Sequence, residues 1–248
     1  MLPVPWLPLL ASQSVSLLGL PASGQEHELL ELLLESLTLG VEARGGPEKW
    51  LRSRTWWEMS HVGNRPVQAR SYYDMTRRIA PKLICEIGLN GGHSAAIFLA
   101  AAGPSSKLVM FDTMAFSYSN WTVHVLEQLF PGQLTLIRGD STRQVPAYFR
   151  GQEASCDLFS VDGDHRYRGV KSDILNAIAA TKRGGVLLLD DMQRNHQTRR
   201  GFDEVVASGK LSQPTCQENV HVAVSHIHRR DTSSVRTLSM DWCTATVI

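Results

Sequence analysis

Residues 83–100, LICEIGLNGGHSAAIFLA, decide the fold class, because a short apolar run passes through a glycine-rich turn into a helix-forming segment. The apolar run predicts a buried strand, and Gly88, Gly91 and Gly92 let the backbone turn sharply and approach a ligand closely. The start of the following helix favours negative charge, such as a carboxylate or a phosphate. The spacing is G-x-x-G-G rather than G-x-G-x-x-G, so the dinucleotide fingerprint is not met.

The same alternation of apolar runs and longer amphipathic segments continues towards the C-terminus. Strands are predicted in KLVMFD, QLTLIRG, CDLFSVD and GVLLLDD, and helices over about 92–102, 119–130, 141–150 and 167–182. This order predicts parallel strands joined by right-handed crossovers, hence a doubly wound α/β sheet. The last two runs, VHVAVSHI and VRTLSMDWCTATVI, have no long helix between them and predict an antiparallel C-terminal hairpin at the sheet edge.

On the N-terminal side, residues 25–81 are interpreted as a helical arm or cap, and residues 82–248 as the α/β domain. Leucines recur at helical spacing between residues 25 and 39, which predicts an amphipathic helix. Its leucines pack against the chain's own core or pair with a second copy in a homodimer.

Residues 1–24 carry no charged side chain and are broken by prolines, so we expect a poorly ordered start and a cytoplasmic protein without a membrane span. The alternative is a signal for the secretory pathway, since Ala22 and Gly24 place small residues where cleavage could occur. Asn120-Trp121-Thr122 is a sequon for N-glycosylation.

Composition narrows the class of partner. The chain has 25 Lys and Arg against 24 Asp and Glu, a net charge of +1, so no global field attracts nucleic acid. The four cysteines, at 85, 156, 216 and 243, show no C-x-x-C spacing for structural zinc, and nothing in their spacing requires disulfides.

Carboxylates follow three consecutive predicted strands. Glu86 lies at the end of the first strand, Asp112 ends the second, and Asp140 with Ser141 follows the third. An acid after the second strand can accept hydrogen bonds from both ribose hydroxyls of a nucleoside, and Asp140 with Ser141 could read an adenine edge. We therefore expect a nucleoside-sized site at the carboxyl ends of these strands.

A second group of acids follows the next two strands. Asp162, Asp164 and His165 come after the fourth strand, and Asp190 with Asp191 ends the fifth. Carboxylates gathered there repel one another unless a cation lies between them, and Mg²⁺ prefers such oxygen ligands. The alternative is structural: Asp162 caps a helix and the pair is a polar strand exit.

The order of the motifs resembles that of the class I S-adenosylmethionine-dependent methyltransferases. These motifs are EIGLNGGHS, FD, GDS, DLFSVDGDHRYRGVKSDI and GGVLLLDDM. Within them the chain is most similar to the small-molecule O-methyltransferases that include macrocin-type sugar enzymes and catechol-type enzymes. The resemblance covers residues 80 to 208. It implies a Rossmann-like, mostly parallel sheet of seven strands with the last strand inserted antiparallel, and S-adenosylmethionine as the cofactor.

The resemblance also implies residue roles. The cofactor-binding residues would be Glu86, Gly88, Asn90 and Gly92 around the methionine part, Asp112 at the ribose, and Asp140 with Ser141 at the adenine. The metal ligands would be Asp162, Asp190 and Asp191. The base matches Asp164 in some macrocin-type enzymes and His165 in other members. We favour His165, because the unperturbed pKa of histidine near 6.5 suits proton transfer at neutral pH.

These observations predict a metal-assisted O-methylation of a small hydroxylated molecule, with S-adenosylmethionine and Mg²⁺. One alternative is an NAD-linked Rossmann oxidoreductase, which the glycine spacing and the Asp190-Asp191 pair disfavour. The other is an inactive, cofactor-binding, methyltransferase-like protein that acts through its aromatic N-terminal arm.

Overall fold

A computed structural model describes residues 24–42, 66–152, 154–193, 196–224 and 236–248. The predictions for residues 1–23 and for the aromatic part of the arm over 43–65 fall outside these described residues. Within them no helix is long and apolar enough to cross a membrane.

The described residues form seven helices and seven strands, in the alternating order predicted from the sequence. The helices are α1 Gly24–Glu42, α2 Pro66–Ile79, α3 His93–Ala102, α4 Ser119–Leu129, α5 Ser141–Tyr148, α6 Tyr167–Ala180 and α7 Gln197–Ala207. The strands are β1 Leu83–Ile87, β2 Lys107–Asp112, β3 Leu134–Arg138, β4 Cys156–Val161, β5 Thr181–Leu189, β6 Leu211–Val224 and β7 Arg236–Val247.

The strands form one seven-stranded sheet in the order β3-β2-β1-β4-β5-β7-β6. β1 pairs with β2, β2 with β3 and β4 with β5 in parallel register. β7 is antiparallel to both β5 and β6 and lies between them. The predictions of a doubly wound, mostly parallel sheet and of an antiparallel C-terminal hairpin are confirmed.

The chain divides into two compact units, Met1–Asp140 and Ser141–Ile248. This division does not coincide with the boundary expected at residue 82, which stays a prediction. In the first unit, α3 is apolar on every side and is accordingly buried almost completely. Four leucines of α1, Leu30, Leu33, Leu34 and Leu37, are buried within the chain, whereas Leu32 and Leu39 are exposed, at 50% and 58%.

The second unit contains two elements that the sequence analysis did not predict: α7 and the first half of β6. Gly201 interrupts the apolar spacing of α7; a Cβ there would lie 3.0 Å from Val170 on α6, so glycine permits the close approach of the two helices. β6 is the edge strand, and the polar segment at its start, including Pro214, is exposed. Proline is tolerated at an edge, because no neighbouring strand needs its N–H group.

A disulfide joins β6 to β7. Cys216 and Cys243 are directly paired in the antiparallel register, with their Cα atoms 4.1 Å apart. Their separation of 27 residues along the chain carries no signal by itself. Pairing becomes visible only once the register of the hairpin is known, which is why the cysteine spacing did not require it.

Candidate functional site

The glycine-rich turn after β1 belongs to the first unit and needs glycine for two different reasons. Gly88 has φ 100°, in the left-handed region, and its N–H donates to the carbonyl of Phe111 on β2 over 2.9 Å. Gly92 has φ 76°, and a Cβ there would lie only 2.4 Å from the methyl carbon of Thr122 on α4. The turn is therefore packed directly against α4, with no room for a side chain.

Asp112, at the end of β2, connects the loops that follow the first three strands. Its carboxylate accepts the N–H of Leu89 over 2.7 Å and the N–H of Met114 over 2.5 Å. Its carbonyl accepts the N–H of Gly139, beyond β3, over 2.9 Å. A carboxylate has about four lone-pair sites, so acceptor capacity is left for ribose hydroxyls. The residue lies where the sequence analysis expected it, and it also organises the backbone around that position.

Asn90 is held by an aromatic residue that the sequence analysis did not single out. Its backbone is left-handed, with φ 45°, and its Oδ1 accepts the hydroxyl of Tyr118 over 2.6 Å. Tyr118 is 1% exposed and stacks on Phe116, with ring centroids 5.2 Å apart. An aromatic residue just before a predicted helix was the signal available in the sequence, but its partner could not be read from spacing.

The other residues expected to bind the cofactor, Glu86, Asp140 and Ser141, differ in their burial and contacts. Glu86 is fully buried on β1, and Asp140 is exposed beyond β3. Ser141 begins α5 in the second unit, and its hydroxyl donates to Oδ1 of Asp173 on α6 over 2.8 Å. Asp173 is itself fully buried. Ser141 thus has a defined structural partner in addition to its expected role.

His93 follows Gly92 and is buried, not at the surface as the start of a helix suggests. It is 2% exposed, and its Nε2 lies 2.9 Å from the hydroxyl of Thr38 on α1. Burial lowers the pKa of His93 to about 4, against a smaller opposing effect of the Leu34 carbonyl. A neutral imidazole therefore links the N-terminal helix to the end of the glycine-rich turn.

In the second unit, three of the predicted site residues meet beyond the ends of β4 and β5. Nε2 of His165 lies 3.4 Å from Oδ1 of Asp162 and 3.3 Å from Oδ2 of Asp191. One potential ligand atom from each of the three lies within 4.8 Å of the others. We call Asp162, His165 and Asp191 the acid cluster.

Ion pairing changes the acid–base properties of this cluster. The hydrogen bond to Asp162, with the nearby charges of the other acids, raises the pKa of His165 to about 9 despite its partial burial. Burial raises the pKa of Asp162 above its ordinary value, and His165 opposes that effect. The expectation that His165 keeps a pKa near 6.5 is therefore corrected: in this arrangement it is an imidazolium at neutral pH.

Asp190 is adjacent to the acid cluster but not part of it. Its Oδ1 accepts the N–H of Asp191 over 2.8 Å, which turns it towards the backbone. Asp191 itself has φ 55°, and its carbonyl accepts the hydroxyl of Thr198 at the start of α7. Nδ1 of His196 lies 2.7 Å from that same hydroxyl, and the rings of His196 and His165 are 6.4 Å apart. Thr198 and His196 therefore support the site from a helix that was not predicted.

Asp164 is engaged in local structure. Its carboxylate accepts the backbone N–H of Arg166 over 2.9 Å and forms an ion pair with the guanidinium of that residue at 2.6 Å. These hydrogen bonds hold the pKa of Asp164 below its ordinary value. The same carboxylate lies where a Cβ on Gly169 would be, at 2.2 Å, so it packs against the first turn of α6.

Comparison with known proteins identifies the central part of the chain. Residues 85–192, which run from β1 to just beyond β5, match the family model described as a methyltransferase domain. Over this segment the chain is similar to methyltransferase domains. The segment includes the glycine-rich turn, Asp112 and the acid cluster, and the predictions of the S-adenosylmethionine-dependent family and of a methyltransferase enzyme are confirmed at this level.

Solved structures agree with this fold. An O-methyltransferase from Bacillus cereus, in complex with SAH, has a TM-score of 0.65 at 14% identity, over 94% of this chain and 96% of that chain. TomG from Streptomyces achromogenes, an O-methyltransferase of tomaymycin synthesis in complex with SAM, has a TM-score of 0.59 at 16% identity, over 95% and 96%. Cofactor-bound Rv0187 from MTB has a TM-score of 0.61 at 16% identity, over 85% and 88%. No curated protein sequence matches the chain.

Proposed function

We propose that this methyltransferase transfers the methyl group of S-adenosylmethionine to an oxygen of a small hydroxylated molecule, with the assistance of a divalent cation. The observation that carries the proposal is the acid cluster, in which Asp162 and Asp191, from different strand ends, share one cationic partner. O-methyltransferases among the structural neighbours support the choice of acceptor atom.

The cofactor would be held mainly by residues of the first unit. When bound, S-adenosylmethionine supplies a methyl group on a positively charged sulfur. Asp112 would accept the ribose hydroxyls, and the turn from Gly88 to Gly92 would place backbone N–H groups near the methionine carboxylate. Glu86, Asp140 and Ser141 would complete the site at the methionine and adenine ends.

The donor set of the acid cluster fits a divalent cation. Two carboxylates face the imidazolium of His165, so this position already requires positive charge, and Mg²⁺ prefers carboxylate oxygens. Asp162 and Asp191 would be ligands, and Asp190 would join them by releasing the N–H of Asp191. When bound, the ion would stabilise the deprotonated form of an acceptor hydroxyl.

His165 would receive the proton of the acceptor hydroxyl at Nε2 only in its neutral form, which its raised pKa makes the minor form at neutral pH. Its ring is oriented by Asp162 and Asp191, as a base must be oriented by neighbouring groups. Asp164 is the weaker candidate, because Arg166 and the start of α6 already occupy its carboxylate. Alignment of the acceptor with the methyl group would contribute much of the rate, up to about 7–11 kcal/mol in well-oriented reactions.

Two measurements test the proposal. Calorimetry with S-adenosylmethionine, with and without Mg²⁺, measures cofactor binding independently of turnover. A labelled methyl donor, offered with catechols, glycosides and hydroxy acids, in Mg²⁺ or in chelator, measures transfer. We expect cofactor binding in both conditions and transfer only with the cation. Transfer that survives chelation would contradict metal assistance, whereas cofactor binding without transfer to any acceptor would favour the inactive, interaction-protein alternative.

A substitution of Asp190 further separates methyl transfer from cofactor binding. Asp190→Asn is expected to abolish transfer while cofactor affinity is retained, because the substitution removes charge beside the acid cluster without altering the glycine-rich turn. Unchanged transfer would remove Asp190 from the proposed set of ligands.

A further inference from the structure

We propose that Asn120 is an N-glycosylation site and that the chain matures in the oxidising, glycosylating lumen of a secretory pathway. This inference does not depend on the proposed reaction. It departs from the cytoplasmic location expected from residues 1–24 and takes the alternative, and it rests on two separate features of the described residues: the surroundings of the sequon on α4, and the disulfide between β6 and β7.

The three residues of the sequon are placed differently on α4. Thr122 is fully buried, with its methyl carbon against Gly92, and the ring of Trp121 fills the space where a Cβ on Gly40 would be. Asn120 is exposed. Packing therefore accounts for Trp121 and Thr122, whereas Asn120 lies at a surface where a bulky polar group is tolerated.

The orientation of the Asn120 amide suits modification. Its Oδ1 accepts a hydrogen bond from the guanidinium of Arg138 over 2.9 Å, at an exposed position. This contact uses the carbonyl oxygen, and glycosylation uses the other amide atom, Nδ2. A glycan on Nδ2 would leave the contact with Arg138 intact.

The transfer itself must precede folding of α4, because the Thr122 hydroxyl that the sequon requires is buried afterwards. The donor class is an oligosaccharide linked to a lipid diphosphate. A bond forms between Nδ2 and C1 of the first sugar, the bond from C1 to the diphosphate breaks, and the diphosphate leaves with the proton lost from the amide. No oxidant or reductant takes part in this step.

The disulfide gives the second, independent indication of the compartment. Cys216 and Cys243 are bonded across directly paired positions of β6 and β7. Disulfides persist in oxidising compartments and are rare in the cytosol, where thiols are kept reduced.

The experiment expresses residues 1–248 in a eukaryotic cell and treats the product with a glycosidase that cleaves at Nδ2 of asparagine. We expect the wild-type band to shift on treatment. Asn120→Gln should migrate like the treated wild type and should not shift. Thr122→Val, which keeps the size of the side chain but lacks the hydroxyl, should also be unmodified, and Arg138→Ala should still carry the glycan.

The disulfide is tested on the same protein. Free thiols are alkylated, and the peptides are then mapped without reductant. We expect a linked peptide pair that contains Cys216 and Cys243. A wild-type chain without a cleavable glycan, or an Asn120→Gln chain that still shifts, overturns the assignment of the site. Alkylated Cys216 and Cys243 overturn the oxidising compartment.

Discussion

The glycine-rich turn lies in the first unit and the acid cluster in the second. Each is stabilised by a different kind of interaction. Around the turn, the packing partners His93 and Tyr118 are buried, at 2% and 1% exposed. In the acid cluster, charged side chains face one another at partly exposed positions, with 47% of the His165 side chain and 37% of that of Asp162 accessible.

Because of this difference, the two regions are sensitive to different kinds of substitution. Close packing responds to a change of volume, because the surrounding atoms relax only partly. A group of charges responds to the removal of one charge at constant volume, because the others are then left unbalanced. Substitutions that change only volume, or only charge, can therefore break one region and spare the other.

For the acid cluster and the turn, the largest expected effect is on turnover, through a change of charge alone. Asp191→Asn keeps the volume and removes one carboxylate charge from the acid cluster, so we expect methyl transfer to fall about 1000-fold, or about 4 kcal/mol in the barrier. Calorimetry should show that cofactor affinity is retained. Asp203→Asn is the matched control, since Asp203 is an exposed acid on α7 that pairs only with Arg199 among the contacts described. A variant at Asp191 with wild-type turnover would contradict the role of the cluster.

An added methyl group in the glycine-rich turn should destabilise the folded protein through its volume alone. Gly92→Ala places a methyl group 2.4 Å from Thr122 in a left-handed backbone, and we expect a loss of about 3 kcal/mol in the free energy of unfolding from overpacking and strain together. Gly132→Ala is the control, because Gly132 is also left-handed, at φ 68°, but has open space around its Cβ position. Urea unfolding measures both, and equal losses would show that packing against α4 is unimportant.

Acid should weaken the packed region through His93. Burial lowers the folded pKa of His93 to about 4, below the ordinary 6.5, so the unfolded chain binds the proton more tightly. Stability is therefore lost as the pH falls from 6.5 to 4, by about 3 kcal/mol in total from this residue. Urea unfolding at pH 7 and pH 4.5 should show a smaller difference for His93→Gln than for the wild type. Identical pH dependence would exclude His93 as the source.

The smallest effect concerns the link between α1 and the turn. Thr38→Val removes the hydroxyl next to Nε2 of His93 and should cost about 1 kcal/mol in the free energy of unfolding. The Thr38 hydroxyl donates to the carbonyl of Leu34, four residues earlier. Ser36→Ala is a close control, because the Ser36 hydroxyl likewise donates to the carbonyl of Leu32, but at an exposed position. Thr38→Ser should restore wild-type stability. Equal losses in the Thr38 and Ser36 variants would mean that the contact with His93 contributes nothing.

The sheet could be predicted because its central strands are continuous apolar runs that end in glycine or an acid. The two missed elements lack that contrast. Gly201 lies within the apolar face of α7, and the start of β6 is a polar, exposed edge with Pro214 inside it. In both cases the sequence pattern reflects a close tertiary approach or an edge position, which local periodicity does not encode.

The site residues could be located at strand ends, but their contacts could not. The carboxyl ends of neighbouring parallel strands share one edge, which places Asp162 and Asp191 near each other from topology alone. Which acid pairs with His165 depends on backbone angles, such as φ 55° at Asp191. The burial of His93 depends on Thr38, 55 residues earlier, and no local pattern joins the two.

The position of β7 has a consequence for how the protein is made. β7 follows β6 along the chain, yet it lies between β5 and β6, and the carbonyl of its Asp241 accepts the N–H of Met192, next to Asp191. Until β7 inserts, one side of β5 has no partner and the support beside Asp191 is missing. A nascent chain therefore completes this part of its site only after β7 has been synthesised, and chains that stop before β7 would expose an open strand edge for chaperones to cover.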